Sequence, residues 1–171
     1  MAAEARLKVE RKNWRKDHPP HFVAKPCLRG DGSTDLFNWD IKVPARESSV
    51  WYPALLSATM TFTADYPERP PSVKFKPVDG KPLFHPNVYT SGGVCMSIIN
   101  PPESTHAYGK GGTWAPSITI KHVLVALQTF IDESTSYAAG RTLEYGLFTT
   151  NRKEYDRQVK IQVAKMEQIG K

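Results

Sequence analysis

Cysteine is scarce: Cys27 and Cys95 are the only two in 171 residues. That excludes a disulfide framework, and neither thiol lies at a zinc-ligand spacing from the other or from the five scattered histidines. Free thiols fit a reducing compartment, where a working thiolate escapes oxidation. Long apolar runs are missing too. Nothing approaches the ~20 residues of a membrane span, and the opening Met1-Ala-Ala-Glu-Ala-Arg6 lacks the apolar centre of a signal peptide. No internal repeat or low-complexity segment occurs.

What remains is an ordinary globular composition, 40% hydrophobic and 23% charged. It is expected to form a single domain over residues 1–171, large enough to bury a core of its own. The net charge of +6 is lopsided. Residues 1–29 hold eight Lys/Arg against three Asp/Glu, five of the six surplus charges, which points to an acidic partner for one face.

The spacing predicts a helix over 2–17, stopped by Pro19-Pro20. Ala3, Leu7 and Trp14 share one side of it, and Lys8, Arg11, Lys12, Arg15 and Lys16 form a basic stripe on another. Such a stripe is usually only a solvated face. Nucleic acid would be a second use, but no aromatic interleaving or reader motif accompanies it. Strands are expected over His21–Leu28, around Phe37-Asn-Trp-Asp-Ile-Lys-Val43, over Ala54–Phe62 and at Val73–Phe75, with hydrophobic residues alternating on one face. Arg29-Gly-Asp31 reads as a turn and nothing more. Consecutive strands with short connections predict an antiparallel meander, with Trp39 and Cys27 in its core. Later come a helix capped by Thr119, with Ile120, Val123, Leu124, Leu127 and Ile131 on its buried stripe, and a short helix from about Leu143. Asn151 and Glu154 suggest a capping box for a last helix that buries Tyr155, Val159, Val163 and Met166. The class is α+β: an N-terminal helix, a four-stranded antiparallel meander, a catalytic loop, then two to three C-terminal helices.

The stretch Pro82-Leu-Phe-His-Pro-Asn-Val-Tyr-Thr-Ser-Gly-Gly-Val-Cys-Met-Ser97 organises the rest. Its prolines exclude a helix interior or a central strand, and Gly92-Gly93 permits positive φ just before Cys95. It is expected to stay rigid outside any regular element, which suits an exposed nucleophile held at fixed distances from its helpers. The following Asn100–Gly112 stretch reads as a long loop beside the cysteine.

His85-Pro86-Asn87 followed by Cys95, with Trp114 downstream, resembles the ubiquitin-like conjugating enzymes, which carry a modifier protein as a thioester and pass it to lysine. The string from Pro82 to Tyr89 is most similar to the branch that conjugates SUMO, as is Arg11-Lys-Asn-Trp-Arg-Lys-Asp-His-Pro19, and the likeness extends over nearly the whole chain. The resemblance implies the ubiquitin-conjugating-enzyme fold, Cys95 as the thioester nucleophile, Asn87 as oxyanion donor, Tyr89 beside the incoming lysine, and His85 and Pro86 as structural members of the loop. Ser91, Lys74 and Tyr145 match positions of the substrate groove. Arg11, Lys12, Arg15, Lys16 and His18 match the surface that meets the activating enzyme and a second, non-covalently held SUMO. Implied partners are SUMO, its activating enzyme, ligases at loops near Pro70-Pro71 and Ala115-Pro116, and lysine-bearing substrates, in nucleus and cytoplasm. No membrane or nucleic-acid partner is expected. Neither is a cofactor or metal, ATP being used by the activating enzyme.

The chemistry agrees with those roles. Acyl transfer from a thioester to an amine needs a thiol that accepts and releases the acyl group, an oxyanion donor, a neutral amine and a held geometry. A lysine of ordinary pKa near ~10.4 arrives charged, and a crowded apolar site lowers that value. The chain also departs from the branch. Ala138 stands where it has an aspartate after the long helix, with Ser134, Thr135 and Ser136 nearby as substitutes. Ser72 replaces a lysine, Arg141 a glutamine, residues 98–113 are longer, and Val78–Lys81 is inserted. Lys110 or Arg141 is then a reader for the acidic residue that follows a substrate lysine. Ubiquitin or another ubiquitin-like modifier is the alternative cargo. A non-catalytic binding module that regulates conjugation is the alternative of another class, though such relatives lack the cysteine.

Overall fold

A computed structural model of the chain describes residues 1–104, 111–135 and 139–171. The elements run α1 (Ala2–Lys16), β1 (Val23–Leu28), β2 (Thr34–Pro44), β3 (Leu55–Thr61), β4 (Ser72–Phe75), a 3₁₀ turn at Ser97–Ile99, α2 (Ile120–Phe130), α3 (Thr142–Thr150) and α4 (Arg152–Val163). The four strands pair antiparallel in sequence order. Period-two alternation puts Trp39, Ile41 and Val43 of β2 on the same buried face as Leu56, Ala58 and Met60 of β3. The apolar stripe of α2 joins that core through Val123, Leu124 and Leu127, and α4 adds Tyr155, Val159 and Val163.

Local chemistry accounts for the ends. Arg29-Gly-Asp31 does turn the chain: Gly32 donates to the Arg29 carbonyl, and Gly32 itself takes φ 81°. Thr119 caps α2 in a full capping box, its hydroxyl accepting from the His122 amide while the His122 ring accepts from the Thr119 amide. The box expected at Asn151 is only half made. Asn151 accepts from the Glu154 amide, but the Glu154 carboxylate turns to Arg157 and Gln158 instead.

Two further placements differ from expectation. Cys27 is half-buried rather than in the core, because it alternates with exposed Lys25 on the face of β1 opposite buried Ala24, beside Asp40. Burial and the Asp40 carboxylate push its thiol pKa up, away from thiolate. Glu10 completes the buried stripe of α1 between Leu7 and Trp14. Its carboxylate accepts from Arg6, from the Tyr66 hydroxyl and from the Ile120 amide at the start of α2. A buried charge persists there because every partner is polar and one is cationic.

Candidate active site

The central stretch is more regular than its prolines suggest. Residues 87–89 and 93–95 form a small antiparallel ribbon: Tyr89 donates to the Gly93 carbonyl at 2.8 Å, Cys95 donates to the Asn87 carbonyl at 3.0 Å, and Val88 faces Val94. Pro82 and Pro86 precede this ribbon, so they restrict its entry and not its ladder. The turn at its tip depends on Gly92, with φ 89° and an absent Cβ that would lie 2.4 Å from the Phe75 carbonyl oxygen. Of the two adjacent glycines, only Gly92 has positive φ. Through that close approach the Phe75 amide donates to the Gly92 carbonyl and Lys74 bridges Gly93, so the ribbon extends the β4 edge of the sheet.

Cys95 is thereby fixed opposite Asn87 and half-exposed. Asn87 is fully buried. Its Nδ2 donates to Thr135 Oγ1 at 2.6 Å and its Oδ1 accepts from the Thr135 amide at 3.0 Å. One residue thus holds the cysteine with its backbone and the segment after α2 with its side chain. Tyr89 is half-buried at the turn, its carbonyl accepting from the Gly92 amide.

His85 is fully buried, stacked obliquely on Phe130 at 4.8 Å, with Pro86 buried beside it. Its Nδ1 accepts from the Asn87 amide at 3.0 Å, which puts the ring proton on Nε2. Burial lowers its pKa to about 4, against the carbonyls of Glu133, Phe130 and Ile131, which favour the charged ring. An unfolded histidine, near ~6.5, therefore takes up its proton first as pH falls. The resulting stability is complete above about pH 6.5 and disappears as pH drops to about 4, a loss of up to about 3 kcal/mol. Urea unfolding across that window checks it. The slope with pH is expected to flatten by one proton in His85→Asn, and equal slopes would contradict it.

The substrate-side residues separate. Lys74 and Ser91 are both exposed, on the neighbouring segments joined by the β4–ribbon bridge. Tyr145 is half-buried in the first turns of α3. Arg141 is elsewhere in character: 7% exposed, it donates to the Val88 carbonyl at 3.0 Å and to Glu144 at 2.5 Å. Its expected part as a reader of acidic substrate residues is corrected, because the charge is spent inside the protein. Lys110, Ala138 and Ser136 lie outside the described residues. Gln162 of α4 was not foreseen: it accepts from the Phe84 amide and donates to the Pro82 carbonyl, fixing the entry to the ribbon. A polar residue beside Val159 and Val163 at the buried edge of a helix was the available signal. No group of three His, Cys, Asp or Glu among the described residues is placed to hold a metal.

Nearly the whole chain is matched by known proteins. The family model described as ubiquitin-conjugating enzyme matches residues 6–163. The chain belongs to that family. It is similar to the SUMO-conjugating enzyme ubc9 of Dictyostelium discoideum, 41% identical over 94% of this chain and 92% of the relative. The SUMO-conjugating enzyme UBC9 of Caenorhabditis elegans is 39% identical over 95% and 90%, and the SUMO-conjugating enzyme SCE1 of Arabidopsis thaliana 41% over 94% and 92%. In this member of the family the α1 surface keeps Lys12, Arg15, Lys16 and His18 exposed. Arg11 is half-buried beside them, and the His18 ring stacks on Trp14 at 5.2 Å.

The long loop is anchored at its base. Gly112 donates to the Pro101 carbonyl and Trp114 to the Asn100 carbonyl. A Cβ on Gly112 would sit 1.8 Å from the Asn100 carbonyl oxygen, so only glycine lets the two legs meet. The inserted 78–81 segment is a two-residue turn with positive φ at Asp79 and Gly80, joined to the turn just after α4 by the Asp79–Lys165 ion pair.

Proposed function

We propose that this protein accepts SUMO from an activating enzyme as a thioester on Cys95 and transfers it to substrate lysines. The carrying observation is the ribbon: a half-exposed sulfur, fixed by a backbone bond to Asn87, in a chain whose curated relatives bear SUMO-conjugating names. A neutral lysine amine attacks the thioester carbonyl, and negative charge collects on the carbonyl oxygen. The carbon–sulfur bond then breaks, the thiolate leaves, and the amine proton passes to water. The Asn87 amide donates to the oxyanion and Tyr89 crowds the approach of the amine. Lys74 supplies the positive charge, and Ser91 the hydroxyl, for an acidic residue beyond the lysine. Arg11, Lys12, Arg15, Lys16 and His18 form the basic surface for the activating enzyme and for SUMO held without a covalent bond. Ligases would meet the loops at Pro70-Pro71 and Ala115-Pro116. Both nucleus and cytoplasm suit such a thiol enzyme.

The two insertions and Ala138, which depart from the SUMO-conjugating branch, keep ubiquitin or another ubiquitin-like modifier as the second reading. Incubation with ATP and each modifier's activating enzyme tests the proposal. A thiol-sensitive adduct with SUMO and none with ubiquitin is expected. Charging with ubiquitin alone overturns the choice of modifier, and no adduct with either overturns the transferase.

A further inference from the structure

The catalytic ribbon has two edges. On the 93–95 side it is fastened to β4 by the Phe75 amide. On the 87–89 side no strand lies alongside among the described residues. Val88 faces Val94 in a pair whose own amide and carbonyl point away from the ladder. The Val88 amide goes back to the His85 carbonyl, and the Val88 carbonyl receives Arg141 Nη1 at 3.0 Å. The other arm of the guanidinium is held by Glu144, one turn into α3, with the two side chains 7% and 11% exposed.

We infer that Arg141 is a positioning residue that substitutes for the missing edge strand, clamping Val88 between Asn87 and Tyr89 and so fixing both relative to Cys95. Guanidinium suits this because its planar fork serves a carboxylate and a carbonyl at once, which an ammonium on a flexible stem does not. Its partner Glu144 neutralises the charge, so the pair can stay buried while one arm reaches the ribbon. The far side of the pair faces a groove of about 310 Å³ lined by Asp79, Phe84, Gln158 and Gln162. Small misplacements of reacting groups cost up to about 100-fold in rate, and the clamp acts one peptide unit from both proposed helpers of the thioester.

The inference rests on the transferase reading, and the test separates them. Wild-type protein is charged first with whichever modifier it accepts, then discharged in a single turnover to free lysine, which carries no acidic neighbour to be read. Arg141→Leu/Glu144→Leu removes the pair together and leaves no orphan charge. It is expected to lower kcat for discharge by about 10- to 100-fold with KM for lysine unchanged. Arg141→Lys keeps the charge but not the fork, and is expected to lose several-fold. Discharge to free lysine at the wild-type rate in the double variant overturns the clamp alone. So does a loss confined to peptides with an acidic residue beyond the lysine. If the double variant does not fold, Arg141→Lys decides: reduced kcat at unchanged KM supports the clamp, and wild-type kcat overturns it. Wild-type protein that charges with no modifier removes the transferase reading, and the clamp's role falls with it.

Discussion

Cys95→Ser will replace a thiol-labile adduct by a thiol-stable one and reduce lysine modification by at least about 10³-fold, since losing a nucleophile's chemistry costs up to about 10⁶ in kcat. The hydroxyl sits where the sulfur sat and still forms an ester, but an alkoxide leaves far less readily than a thiolate. Half-exposed Cys95 makes its defining bond through the backbone amide, which serine keeps, so stability should change by no more than about 0.5 kcal/mol. Gels run with and without thiol, together with single-turnover discharge, measure both effects. Cys27→Ser provides the contrast. Burial and Asp40 hold that thiol protonated, so charging should survive its replacement. A thiol-labile adduct persisting in Cys95→Ser would relocate the chemistry.

Asn87→Ala is expected to slow discharge by about 10²- to 10³-fold, the ~2.7–4 kcal/mol that one oxyanion donor contributes in a transition state. The same change strips the Thr135 amide of its acceptor, a stability cost of about 1–3 kcal/mol. Thr135→Val separates the two effects, since it removes the hydroxyl on Asn87 Nδ2 and leaves the carboxamide in place. If Asn87 serves as donor, Thr135→Val loses about tenfold or less while Asn87→Ala loses far more. Equal losses from the two variants, tracking equal losses in thermal midpoint, would make Asn87 an anchor and nothing else.

Much of this architecture was open to direct reading. The alternation of Trp39, Ile41 and Val43, the proline stop after α1 and the Thr119 cap are local signals, and the strands and helices follow them. So was the placement of Cys95 in the proline- and glycine-marked segment from Pro82 to Ser97. Harder to see was that residues 87–95 pair with themselves and with β4, because that pairing depends on the carbonyl of Phe75 meeting a residue without a side chain. Cys27 went astray for a simpler reason: it alternates with exposed Lys25 and not with buried Ala24, and which face of β1 is buried is decided only by what packs on it.

Residue types and their order in the chain determined which elements form, which thiol lies in a constrained loop and which face of α1 is basic, since backbone preference and hydrophobic period act over a few neighbours. Tertiary structure alone decided where each charge is spent. Arg141 was expected to face a substrate and instead closes an open ribbon edge; Glu10 lies on an apolar stripe because α2, Arg6 and Tyr66 converge on it. Such roles depend on distances between residues far apart in sequence, and an ionised side chain settles wherever folding leaves an unmatched carbonyl or amide within its reach.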